Sequence, residues 1–241
     1  MRAFMKPSRL WAHPSSPDTE WIRPHVLWLP QQQPDVMRYF DRLRTALHDY
    51  TDLLALIAPG DLHMTIQAIR SRTSDGKRAD GEQLADAADA IRDELRGLAP
   101  IRADIGPPRL DRSAAVVDIA PADVLHELHC RVRAGTLTAG LDIPPAGDPF
   151  WPHMTIGYGL RDTDTPQLAA RSDACASHIS RALLPDTRVS AEISTVWLVW
   201  ERQHVTPPTY TFQHLHEIPL GEANALPPSA TGAEEGMPFH S

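Results

Sequence analysis

Cysteine is nearly missing from this chain of 241 residues: there are two, Cys130 and Cys175. Two cysteines make neither a disulfide framework nor a metal quartet, so a reducing, cytoplasmic setting is expected. Long hydrophobic runs are missing too. The longest apolar stretches have the length of short strands, well below what a bilayer crossing needs, so no membrane partner is expected. The opening MRAFMKPSRLW carries cations but no apolar stretch followed by a small-residue cleavage site, and does not read as a signal peptide. Cations are the third scarcity. Twenty-three Lys and Arg stand against 31 Asp and Glu, a net charge of -8, and no long basic run exists. A grip on long nucleic acid would need many phosphates neutralised at once. A substrate contacted over a few phosphates fits this balance better. Arg70, Arg72, Lys77 and Arg78 form the one local cationic cluster.

What is present points to an ordinary globular unit. Residues 1–20 and 222–241 lack periodic large apolar residues and are expected to be disordered tails. Residues 21–221 then form one domain, expected to be a monomer. Four segments have helical periodicity: Val36-Phe40-Leu43-Leu47, Leu84-Ala88-Ile91-Leu95, Val124-Leu128-Val132 and Leu168-Ser172-Ala176-Ile179-Leu183. Pro121 and Thr165-Pro166 suit helix starts. Short β-like runs lie between them at 25–29, 62–69, 101–105, 114–119, 153–159, 188–193 and 195–201, and 209–218 can close a sheet edge. Both halves read strand, helix, strand, helix, strand at a near-constant offset, the mark of an internal duplication. The expected fold is α+β, with two pseudo-symmetric lobes of antiparallel-rich sheet, helices outside and a cleft between the lobes.

The same tetrapeptide occupies one slot of each half: His63-Met64-Thr65-Ile66 and His153-Met154-Thr155-Ile156, 90 residues apart. Each is expected on a central strand. Alternate side chains of a strand share a face, so each His–Thr pair can face the cleft while Met and Ile face the core. Two imidazoles suit a phosphodiester exchange, one taking a proton from the incoming oxygen and one giving a proton to the departing oxygen. Thr65 and Thr155 can hold the non-bridging oxygens. Neither motif has a neighbouring cysteine or carboxylate, so no metal or other cofactor is expected.

Other residues carry weaker signals. Gln67 and Gly157 follow their motifs on the histidine face by strict alternation, one as a hydrogen-bonding group and the other as room for substrate. Arg70 can guide phosphate, and Tyr210 can stack on a base with Phe212, as can Trp197 and Trp200. By the same parity Tyr158 belongs to the core. His126, His129 and Cys130 have helical metal spacing, but a polar helix flank explains them more simply. His214 and His216 suit an edge-strand surface, and His25 a strand end.

The paired H-x-T-apolar motifs, the DPFWPHMTIGYG setting of the second and the duplicated order resemble the 2H phosphoesterase superfamily. Within it the likeness is to the bacterial 2′-5′ RNA ligase / RNA 2′,3′-cyclic phosphodiesterase group, over roughly residues 22–220. The resemblance implies a bilobal fold with His63, Thr65, His153 and Thr155 as catalytic residues, His153 leaning to the base. It also implies a nucleotide or RNA terminus bearing a cyclic phosphate as partner, opened to a 2′-phosphate. Two activities of the same chemistry stay open, 2′-5′ RNA joining and cleavage of 2′-5′ linked oligonucleotides. So does a nucleotide- or RNA-binding module without turnover.

Overall fold

The computed structural model describes residues 22–70, 79–145, 150–161, 165–205 and 208–221. The tails fall outside the described residues, and so do Arg72, Lys77 and Arg78. Each periodic segment forms a helix with one apolar face inward: α1 (Pro34–Leu47), α2 (Gly81–Leu95), α3 (Ala122–Thr138) and α4 (Pro166–Ala182). Their starts follow from local chemistry. At α2 the Asp80 side chain accepts from the Gln83 backbone N–H and Gln83 answers reciprocally, which satisfies two otherwise unpaired groups. At α4 the Thr165 hydroxyl accepts from Leu168 N–H at 3.1 Å, with Pro166 setting the first turn. Pro121 stands one step earlier than expected, as the N-cap of α3.

Nine strands fill the spaces between: β1 (Ile22–Trp28), β2 (Leu54–Leu56), β3 (Met64–Ala68), β4 (Ile101–Leu110), β5 (Ala114–Ala120), β6 (His153–Gly159), β7 (Val189–Ile193), β8 (Thr195–Val205) and β9 (Pro208–Pro219). Three-residue β2 is too short for an alternation to show in the sequence. The strands make two sheets with antiparallel pairings, ordered β3-β1-β8-β9 and β2-β6-β5-β4-β7. Helices α2 and α3 pack together on the first sheet, and α1 and α4 on the second.

The lobes are not the two halves of the sequence. Set aside β2, and β3-β1-β8-β9 corresponds to β6-β5-β4-β7. Each half therefore lends its last central strand to the sheet begun by the other, so the halves interlock and neither sheet is complete alone. Motif strand β6 is internal to its sheet. Motif strand β3 is an edge, not central as alternation alone suggests, because the first sheet has no counterpart of β2.

The duplication extends to an irregularity. Leu27 and Val26 of β1 face Thr65 and Gln67 of β3, which leaves Ile66 as an extra residue. Val116 and Ala115 of β5 face Thr155 and Gly157 of β6, which leaves Ile156 as an extra residue. Both motif strands thus carry a bulge at the same motif position. A bulge shifts side-chain alternation by one residue and re-aims the side chains beyond it.

Helices α2 and α3 approach closely at Gly135, where an added Cβ would lie 2.6 Å from Ile91 Cα. Alanine favours a helix interior over glycine by about 1 kcal/mol, but here it must push backbone apart. Gly135→Ala is therefore expected to destabilise the protein by about 1–3 kcal/mol, read as a lower urea midpoint at unchanged slope. A variant as stable as the parent would contradict this packing.

Candidate active site

The paired strands bring His63, Thr65, His153 and Thr155 to the wall of one cavity of about 190 Å³. Both histidines are fixed in the same way. His63 Nδ1 lies 2.8 Å from Asp61 O and His153 Nδ1 lies 2.9 Å from Trp151 O, each carbonyl two residues back. A carbonyl can only accept, so Nδ1 carries the proton and Nε2 of the neutral ring is left to exchange one.

Their surroundings differ. His63 is 8% exposed and sits edge-on to Phe212 and Tyr210, with ring centroids 4.8 and 5.8 Å away. Burial lowers its pKa to about 4, partly opposed by the Asp61 carbonyl and reinforced by His153. His153 is half-buried and stacks on Trp151 at 3.9 Å. Burial lowers its pKa as well, while the Trp151 carbonyl, Asp118 and Asp111 favour its charged form and Arg109 opposes it.

Asp118 stands opposite His153 in the β5–β6 register and is the centre of a small ionic frame. Arg109 donates to it from Nε at 3.0 Å and from a terminal nitrogen at 3.3 Å, and Trp151 Nε1 donates at 2.7 Å. Arg109 also lies 4.8 Å over the Trp151 ring. Burial pushes the Asp118 carboxyl up, but the hydrogen bonds from Arg109 and Trp151 outweigh it and keep the carboxylate ionised. Trp151, though 40% exposed, is thus held between a guanidinium and an imidazole.

The bulges decide which flanking residues reach the cavity. Tyr158 lines it, against simple parity, because the extra Ile156 turns the next alternate residue inward. Gly157 faces β2 instead: a Cβ there would lie 3.0 Å from Ala55 O, so its bareness admits that strand. Gln67 is displaced by the same shift at Ile66. It pairs with core residue Val26, is 5% exposed and donates from Nε2 to Ala68 O at 2.6 Å. Arg70 pairs with Asp142 at 3.0 Å and is not among the cavity's described lining. Gln67, Gly157 and Arg70 are thus not among the cavity's described lining, whereas Tyr210 is.

A polar chain runs beneath the motif residues. The Thr155 hydroxyl is hydrogen-bonded to the Tyr158 phenol, Tyr158 to Tyr210, and Gln203 Nε2 donates to Tyr210 at 3.3 Å. His25 and Glu201 complete this floor. Sequence reasoning missed Asp118, Trp151, Tyr158, His25 and Glu201. The position of Trp151, two residues before His153, was the one local signal.

The other histidines do different work. His129 Nδ1 donates to Ile66 O at 2.7 Å and its ring stacks on Phe150 at 4.6 Å, so α3 is tied to the bulge of β3. His126 Nε2 lies 3.5 Å from Cys130 Sγ. Among the described residues no group of three or more His, Cys, Asp or Glu is placed to hold a metal ion. His214 lies against Trp197, 4.9 Å between centroids, beside a separate groove. No helix among the described residues is long and apolar enough to cross a membrane.

Residues 34–205 match the model of the 2′-5′ RNA ligase superfamily. No curated protein matches the sequence. Among solved structures, TT0787 of Thermus thermophilus is 18% identical with a TM-score of 0.57, over 83% of this chain and 100% of that one. E. coli LigT complexed with 3′-AMP is 14% identical with a TM-score of 0.54, over 83% and 98%. ATU0111 of Agrobacterium tumefaciens is 12% identical with a TM-score of 0.58, over 80% and 85%. At such identities these likenesses concern the fold.

Burial holds His25 near a pKa of about 3 and His63 near about 4, so the native state carries both rings neutral. The unfolded chain takes up those protons below about pH 6.5, so stability must fall as pH drops from there toward the folded values. Thermal midpoints are expected to fall over that range, more shallowly in His25→Gln. An equally steep fall in both proteins would contradict the buried neutral state of His25.

Proposed function

This chain belongs to the 2′-5′ RNA ligase superfamily, and from that premise we propose that it hydrolyses a 2′,3′-cyclic phosphate on a nucleotide or RNA end. The observation that carries the reading is the convergence of two His–Thr pairs on one cavity, with both imidazoles pinned through Nδ1.

The environments of the two rings support distinct roles for them. His63, deep and neutral, is the base: its Nε2 takes a proton from water as the water oxygen bonds to phosphorus. His153, beside Asp118 and Asp111, is the more easily protonated ring and serves as the acid. Its Nε2–H gives a proton to the 3′-oxygen as the P–O3′ bond breaks, leaving a 2′-phosphate. This reverses the expectation that His153 is the base. The order is economical, because a base with the lower pKa and an acid with the higher one are both correctly protonated between those values. Thr65 and Thr155 hold the non-bridging oxygens, and the Tyr158 bond orients the Thr155 hydroxyl.

Turnover of 2′,3′-cyclic nucleotides by the purified protein tests this reading. His63→Ala and His153→Ala are each expected to lower kcat about 10²–10⁴-fold, and a chelator to leave activity unchanged. Either variant retaining full activity, or a chelator abolishing it, would overturn the mechanism. Tight nucleotide binding without turnover of any such substrate would point to a binding module instead. Asp118→Asn removes the charge that favours protonated His153. The alkaline limb of its kcat/KM profile is expected to move down by roughly one pH unit, with the acid limb in place. Movement of the acid limb instead would exchange the two roles.

A further inference from the structure

The mechanism leaves two groups on the cavity floor unused, His25 and Glu201. Glu201 of β8 is 2% exposed, lines the cavity, and has an Oε2 with no hydrogen-bond partner. The groups around it come from several elements. From β1 come His25, whose Nδ1 is 3.9 Å from that oxygen, and Arg23, opposite Glu201 in the strand register. Tyr158 comes from β6, Tyr210 from β9, and His63 from the approach to β3. His25 Nδ1 already lies 3.3 Å from Arg23 O, to which it donates. No described residue of the cavity lining is lysine or arginine.

An ionised carboxyl here would be a buried charge lining a cavity meant for an anion, desolvated and repulsive at once. A neutral carboxylic acid has the opposite value, because it carries an O–H donor. We propose that Glu201 is a phosphate-binding residue, its carboxylic acid donating a hydrogen bond to a non-bridging oxygen of the substrate. This rests on the phosphoesterase reading and extends it. The site then recognises the phosphate by neutral donors, Glu201 with Thr65 and Thr155, and by the motif histidines.

Burial pushes the Glu201 carboxyl well above the usual carboxylate range, which favours the acid form. His25, held near a pKa of about 3, supplies no counter-charge that would ionise it. Phosphate affinity therefore falls as pH rises through the Glu201 pKa, where a donor becomes a negative charge facing the anion.

Binding of inorganic phosphate to the full chain, titrated at several pH values, tests the proposal. Glu201→Ala is expected to weaken binding about tenfold, whereas Glu201→Gln, which keeps an N–H donor, stays within about twofold. The wild-type protein should lose affinity at high pH beyond the loss seen in Glu201→Gln. Unchanged binding in Glu201→Ala, or Glu201→Gln as weak as alanine, would overturn the proposal. Should alanine unfold the protein by circular dichroism, the pH comparison with Glu201→Gln decides it. Failure here is distinguishable from failure of the phosphoesterase reading. Wild-type protein that turns over cyclic phosphate, with His63→Ala inactive and Glu201→Ala unimpaired, sinks the Glu201 proposal alone. Wild-type protein that neither binds phosphate nor turns over cyclic nucleotide sinks both.

Discussion

The site depends on a short hydrogen bond made twice: an imidazole Nδ1–H to the carbonyl two residues earlier in the chain. That bond selects the tautomer, limits ring rotation and leaves Nε2 for proton exchange. It is local, so each half of the duplication can build it separately. What the fold adds is convergence. The two sheets share strands across the halves, and this interlocking presents both motif strands to one cavity.

From a symmetric frame the chain builds an asymmetric pair. Around His63 the neighbours are aromatic or neutral, namely Phe212, Tyr210 and His25. Around His153 they are ionic, Asp118 held by Arg109 and capped by Trp151. Low polarity keeps the first ring neutral, and carboxylates favour the charged form of the second. Acid and base can thus be told apart by surroundings although their motifs are identical. The polar chain from Thr155 through Tyr158 and Tyr210 to Gln203 stiffens the floor between them.

Much of this was legible in the sequence because it rests on periodicity. Steps of three and four residues located all four helices, and β-branched and aromatic runs located every strand except β2. The repeated HMTI motif located the site. What escaped were features that period-2 reasoning cannot contain. One extra residue, Ile66 or Ile156, reverses the facing of everything after it. Gln67 and Gly157 lie outside the described cavity lining for that reason, and Tyr158, in the core as expected, also reaches the cavity wall. Asp118, Glu201 and His25 escaped for another reason. They reach the site through sheet register, Asp118 opposite His153 and Glu201 on a strand from the far end of the chain, and register is a long-range property.

The central claim is that both rings, pinned through Nδ1–H, turn Nε2 toward one bound phosphate, His63 as the neutral base and His153 as the ring that takes up a proton to act as acid. Histidine-selective ¹⁵N NMR, with inorganic phosphate titrated into the protein, measures this directly. The account predicts Nδ1–H tautomers for His63 and His153 in the free protein, and perturbation of Nε2 on both rings along one saturation curve. An Nε2–H tautomer at either position, or phosphate perturbing one ring alone, would contradict it.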